Sequence, residues 1–213
     1  MKKNMQLKIV TISYVVSIVA SFFLNFLKVN NIDFHGVISA VKVSTILTGW
    51  WMFYFRMGWK IPLLQKILYK INLEGTWFGT YESISQKDNK KYKGEIGLRI
   101  KQDFLTISII SFTEKYRNFS YSEELKYEEK SNMHELVYVY SQKENSISDR
   151  DSRNGASELK LMFDNARNIQ RLEGDFWTCI GSKGVLKVSK ISKKVVDTFE
   201  EAKEIYNHTG EQD

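Results

Sequence analysis

Apolar side chains follow two different rules on either side of residue 73. Residues 9–27 (IVTISYVVSIVASFFLNFL) form a run without a charged side chain, and residues 36–55 (GVISAVKVSTILTGWWMFYF) form a second in which Lys42 is the one charge. About 20 apolar residues in a helix cross a ~30 Å hydrocarbon core, so this pattern predicts two transmembrane helices. A cleavable signal peptide would end a shorter apolar core at small side chains, where this chain has Phe22, Phe23, Leu24 and Asn25. The second run closes on Trp50, Trp51, Phe53, Tyr54 and Phe55, an aromatic belt of the kind favoured at a membrane interface. Lys42 lies about 10 Å along that helix at 1.5 Å per residue, within snorkelling reach of the headgroups, with a pore-lining position as the alternative.

From residue 73 the period drops from 3.6 to 2, the spacing of strands. Eight strands are predicted, at 76–84, 93–101, 105–112, 120–127, 134–141, 157–164, 172–178 and 184–190. Leu136, Tyr138 and Tyr140 share one face of their strand, while Val137 and Val139 share the other. The breaks between strands are too short for crossover helices, so the sheet is an antiparallel meander. Closure removes its edges and yields an eight-stranded up-and-down β-barrel of lipocalin-like form, with room for one small ligand. The predicted fold is thus a membrane α-helical hairpin plus an all-β domain. Its parts are 1–59 (the two spans), 60–72 (an interfacial amphipathic helix carrying Ile61, Leu64, Leu68 and Ile71 on one face), 73–190 (the barrel) and 191–213 (an acidic tail). A short helix is expected in the tail at 197–207.

Charge sharpens this division. The chain's net +6 and pI near 9.2 suggest nucleic acid, yet residues 1–72 hold nine Lys and Arg against Asp33 alone. Residues 73–190 are nearly balanced, with 19 basic and 18 acidic side chains, and the tail has three basic against six acidic. The basic excess therefore belongs to the membrane region, and a DNA- or RNA-binding face is a poor account of it. Lys2, Lys3 and Lys8 precede the first span, and Arg56, Lys60, Lys66 and Lys70 follow the second. The positive-inside rule places both termini, and with them the barrel, in the cytoplasm.

Catalytic chemistry has little local support. One Cys excludes an intrachain disulfide and a thiolate metal site, leaving Cys179 as a small core residue. His35, His134 and His208 fall in three separate regions, so no metal pair or Ser-His arrangement forms locally. The run Glu123, Glu124, Glu128 and Glu129 reads as a solvated face, and Gly75 and Gly79 precede strand rather than a phosphate-binding helix. The inventory of a pocket remains: Trp77, Tyr121, Tyr138, Tyr140 and Trp177 as planar surfaces, Arg99, Arg117, Arg153 and Lys183 as cations, and Gln102, Thr113, Ser120, Ser122, Asn154 and Thr178 as neutral partners. Stacking faces with cations suit a small nucleotide. An aromatic-rich barrel also needs such residues merely to fill its core and rims.

The order of the segments is more specific than any one of them. Two spans precede LEGTWFGTYES (73–83), IKQDFLTISI (100–109), LVYVYS (136–141), RNGASELKL (153–161) and LEGDFWTCIGSKGVLKV (172–188). This arrangement resembles the SMODS-associating two-transmembrane, β-strand-rich effectors of bacterial CBASS anti-phage systems, over nearly the whole chain. The resemblance implies a non-enzymatic, inner-membrane effector whose cytoplasmic barrel binds a cyclic oligonucleotide made by a partner nucleotidyltransferase. Ligand binding then drives homo-oligomerisation, membrane disruption and abortive infection. It implies no metal and no cofactor beyond the activating cyclic di- or oligonucleotide, and gives Gln102, Thr113, Ser120, Ser122, Tyr138, Tyr140, Arg153 and Thr178 as ligand contacts. Arg153 stands where a His is expected, and Phe176-Trp177 where Tyr-Phe is commoner. A membrane-tethered carrier of apolar molecules is the alternative, because Gly75-Thr76-Trp77 also looks like the Gly-x-Trp start of lipocalins.

Overall fold

The computed structural model describes residues 9–19, 22–23, 43–65, 68, 70–87, 89–128, 133–144, 153–164 and 169–210. Two compact units emerge: Met1–Asn72 with Asp103–Leu105, and Leu73–Gln102 with Thr106–Asp213.

The second unit is the barrel. Its strands are β1 (Gly75–Ser85), β2 (Lys91–Gln102), β3 (Ile107–Phe112), β4 (Tyr116–Glu128), β5 (Met133–Glu144), β6 (Arg153–Phe163), β7 (Ile169–Thr178) and β8 (Ser182–Ser192). Each pairs antiparallel with the next, and β8 closes on β1, giving the expected eight-stranded up-and-down barrel. The strand ends differ from the alternation by a few residues, and three of the starts have a plain cause. β3 begins at Ile107 because Phe104 and Leu105 lie in the preceding turn. β4 begins at Tyr116, since a register shift between Ser120 and Ser122 leaves Tyr121 as an extra residue and reverses the parity there. β6 starts at Arg153, which brings Asn154 and Gly155 into the ladder.

The lower interior is solid. Trp77, Leu98, Ile100, Leu136, Leu159 and Leu172 are each wholly buried. Trp77 donates its indole N–H to the Leu73 carbonyl at 3.0 Å, which satisfies its one polar atom. Outward-facing Phe78, Ile110 and Phe112 are buried too, because the C-terminal segment covers them. That segment is fastened by Thr76, whose hydroxyl donates to the Lys194 carbonyl at 2.7 Å and accepts the Val196 N–H at 3.2 Å. Its helix, Phe199–Gly210, matches the expectation for the tail and packs Phe199, Ala202 and Ile205 on that cluster. Thr198 caps it by accepting the Glu201 N–H at 3.2 Å, while the Glu201 carboxylate accepts the Asp197 N–H at 3.1 Å.

The first unit is helical, at residues 9–19, Val43–Arg56, Gly58–Lys60 (one 3₁₀ turn) and Pro62–Gln65. Tyr54, Trp59, Leu68 and Phe104 form its buried cluster. The Phe104 ring stacks on Phe55 at 5.2 Å, and the Phe104 N–H donates to the Phe55 carbonyl at 2.9 Å. Trp51 donates to the Ser13 hydroxyl at 3.0 Å, tying residues 9–19 to Val43–Arg56. Among the described residues no helix is long and apolar enough to cross a membrane. Residues 20–21, 24–27 and 36–42 of the two expected spans, 9–27 and 36–55, lie outside the described residues, Lys42 among them. Of the stretch 60–71, Pro62–Gln65 is helical and Leu68 lies in a bend. There the Tyr54 hydroxyl reaches the Leu64 and Leu68 carbonyls at 3.3 and 3.5 Å.

Candidate functional site

Above the Trp77 floor the barrel holds a cavity of about 1010 Å³ that is open to solvent at its mouth. Its wall rests on a repeated sequence device, an aromatic residue paired across strands with a glycine. Tyr81 faces Gly94, Tyr140 faces Gly155, and Phe176 faces Gly184. In each pair the ring fills the space of the missing side chain: a Cβ at Gly155 would lie 2.5 Å from the Tyr140 ring, and one at Gly184 2.6 Å from Phe176. A mid-strand glycine thus lets a large ring lie close to the wall, leaving room in the lumen. Tyr81 and Phe176 meet edge to face at 6.3 Å, and Tyr138 and Tyr140 lie 5.9 Å apart.

Between the rings the lining is hydroxyl and amide: Ser83, Ser111, Thr113, Asn118, Gln142, Ser157 and Thr178. Burial pushes the Tyr138 phenol up to about 12, against a smaller opposing effect of its hydrogen bond with Ser157. Burial also raises Tyr140, helped by its neighbours Tyr138 and Cys179. Both phenols are therefore neutral near pH 7, where each can donate or accept a hydrogen bond.

Ionised groups gather at one side of the mouth. β2 pairs with β3 only from Gly97 to Gln102, so its upper part is joined to β1 alone. The C-terminal helix stands beside this gap and contributes Phe199, Glu200, Lys203, Glu204 and Asn207 to the cavity lining. Lys203 bridges Glu95 of β2 at 2.6 Å, and Lys93 bridges Glu82 at 2.9 Å. The fixed charge sits at the rim, around a neutral lumen.

Of the eight residues expected to contact a ligand, the cavity brings together Thr113, Tyr138, Tyr140 and Thr178. Gln102 stands at the far end of β2, where its side-chain oxygen accepts the Leu73 N–H at 2.8 Å. Ser120 accepts the Ile109 N–H at 2.9 Å and donates to Glu123, bridging β3 and β4 where their pairing ends, and Ser122 is exposed just beyond the bulge. Arg153 is the first residue of β6, its side chain outside the described residues. Arg99 and Arg117, also considered as cations, instead bind Asp197 and hold the C-terminal segment. Cys179, read as a core residue, is exposed in the β7–β8 turn, where its N–H donates to the Asn154 carbonyl. Sequence reasoning missed Tyr81, Phe176, Ser111, Asn118 and Ser157; the signal for the first two was a glycine within a strand beside an aromatic-bearing strand.

A family model described as Cap15, cyclic dinucleotide receptor domain, matches residues 70–190, more than half of the chain and all eight strands to within two residues of the end of β8. No curated protein matches the chain.

Proposed function

The chain belongs to the family of Cap15 cyclic dinucleotide receptor domains, a CBASS effector family, and from that premise we propose that it is a non-enzymatic anti-phage effector that breaches the inner membrane when its barrel binds a cyclic oligonucleotide. The observation that carries this reading is the cavity of about 1010 Å³ in the matched barrel, walled by Tyr81, Tyr138, Tyr140 and Phe176, with its ionised side chains at the mouth. It lies at the upper end of the ~300–1,000 Å³ range of ligand pockets. Aromatic faces suit nucleobases, and hydroxyl and amide groups suit base edges and ribose. A carrier of apolar molecules would call for a continuous apolar lining, which Ser83, Ser111, Asn118 and Ser157 interrupt.

Thr113, Tyr138, Tyr140 and Thr178 are the expected contacts that this reading retains on the wall. Arg153 remains as a phosphate partner for its forked guanidinium. The apolar runs 9–27 and 36–55 are read as the effector, spanning the inner membrane with both termini and the barrel cytoplasmic. A ligand shifts such a protein toward an assembled state only by binding that state more tightly. Homo-oligomers formed this way pack two membrane helices per subunit into an array that disrupts the bilayer and kills the infected cell. The messenger comes from a partner nucleotidyltransferase.

The test is co-expression with a cyclic dinucleotide synthase, read with a membrane-potential dye. Depolarisation is expected with the wild-type protein and none with Tyr140→Ala. Intact potential in wild-type cells shown to accumulate a cyclic dinucleotide that the protein binds overturns the effector reading.

A further inference from the structure

The family match ends at residue 190, but the wall of the cavity does not. β2 is joined to β3 only from Gly97 to Gln102, and the helix Phe199–Gly210 stands beside the opening this leaves. Phe199, Lys203 and Asn207 recur at four-residue spacing, one stripe of that helix, and all three line the cavity. Ala202 and Ile205, on the stripe beside it, pack with Phe78, Ile110 and Phe112 of the barrel. The packed stripe fixes the helix, and so fixes what the other stripe presents to a ligand.

A cyclic dinucleotide carries a negative charge on each of its two phosphodiesters, and a cation pairs such a group more strongly than the hydroxyls and amides between the rings do. Among the described residues the lysines that line the cavity are Lys93, Lys115 and Lys203. Lys93 is turned to Glu82, which is outside the lining, in a pair whose side chains are 70% and 66% exposed. Lys115 lies in the turn between β3 and β4. Lys203 instead rises from the docked helix, with its ammonium 5.7 Å from the Phe199 ring centre and 2.6 Å from the Glu95 carboxylate, so less freedom is lost when it takes a ligand. Its side chain is 45% exposed and therefore within a ligand's reach. The Glu95 carboxylate marks a place at the cavity where an anion's oxygen is held, and a pair so exposed stabilises the fold too little to resist exchange. Glu114, Glu200 and Glu204 also line this side, so away from Lys203 the rim repels an anion. Resting on the reading of the cavity as a cyclic-dinucleotide site, we infer that the site extends onto the C-terminal helix, where Lys203 exchanges Glu95 for a phosphodiester of the ligand.

The exchange separates a ligand contact from a structural clamp. Full-length protein in detergent is titrated with cyclic di-adenylate, cyclic di-guanylate, cyclic di-uridylate and their mixed counterparts, and the tightest binder is carried through Lys203→Met, Glu95→Gln and the double variant. Both positions are partly exposed, so neither substitution opens a hole in the core. Lys203→Met is expected to weaken binding about fivefold and to make it less sensitive to salt. Glu95→Gln frees the ammonium and is expected to tighten binding about twofold, a gain that the double variant lacks. Unchanged affinity in folded Lys203→Met, or equal weakening by the two single variants, overturns the assignment while leaving the cavity a nucleotide site. A wild-type protein that binds none of the panel overturns the site reading itself.

Discussion

Gly155 lies directly across the β5–β6 ladder from Tyr140, and the Tyr140 phenol occupies the space that a side chain at position 155 would need. A Cβ there would sit 2.5 Å from the ring and 2.7 Å from the Trp177 carbonyl, so neither neighbour is merely a flexible end that swings aside. Gly155→Ala is expected to destabilise the barrel by roughly 1–3 kcal/mol through overpacking and to displace Tyr140 from the wall. Urea unfolding and ligand titration of the same variant check the two effects together.

Tyr138 makes stability pH-dependent at the alkaline end. Its folded phenol titrates at about 12 against 10.0 for an ordinary tyrosine, because burial penalises the charged form. An unfolded chain then loses a proton that the folded chain keeps, so the stabilisation is fully present below pH 10 and is lost as pH rises toward 12. The slope is about 1.4 kcal/mol per pH unit for this one group. Chemical unfolding at pH 9 and 11 measures it, and Tyr138→Phe is expected to flatten the difference between those values.

Ala202 is wholly buried where the C-terminal helix meets Phe78 and Phe112. Ala202→Glu puts an unpaired carboxylate there, and the helix is expected to undock at a cost of several kcal/mol. The side of the cavity formed by Phe199 and Lys203 then opens. Hydrogen exchange across Phe199–Gly210 should rise toward that of unstructured chain, while the strand amides of β5 and β6 stay protected.

Phe104 is 5% exposed in a turn whose flanking strands belong to the barrel but which itself groups with the helical unit. Its ring meets Tyr54 at 5.6 Å, Phe55 at 5.2 Å and Trp59 at 6.3 Å. Phe104→Ala is expected to cost that cluster about 3–5 kcal/mol, the usual range for a buried Phe. Ligand affinity of the barrel should stay within about twofold, since Phe104 is absent from the cavity lining, while ligand-dependent depolarisation falls. Parallel binding and dye assays separate the two.

Much of the barrel was legible because period-2 alternation is a local property. Leu136, Tyr138 and Tyr140 announced their inward face within five residues, and all three are buried. Where adjacent residues are both bulky the parity disappears: Phe176 faces the cavity while Trp177, read as a planar pocket surface, is 43% exposed. Tyr121, read the same way, is the extra residue at the bulge and 61% exposed. Non-local partnerships were the other blind spot. Arg99 and Arg117 looked like free cations because Asp197, which binds both, lies about 80 residues or more further along the chain.

Tyr138, Tyr140 and Thr178 line the cavity proposed as the receptor site. Calorimetric titration of the full-length protein in detergent with cyclic dinucleotides tests it most directly, using wild type and Tyr140→Ala confirmed as folded by circular dichroism. Saturable binding of one member of the panel, with affinity reduced at least tenfold by Tyr140→Ala, is the predicted result. Absence of binding to the wild type, or equal affinity in the folded variant, would contradict it.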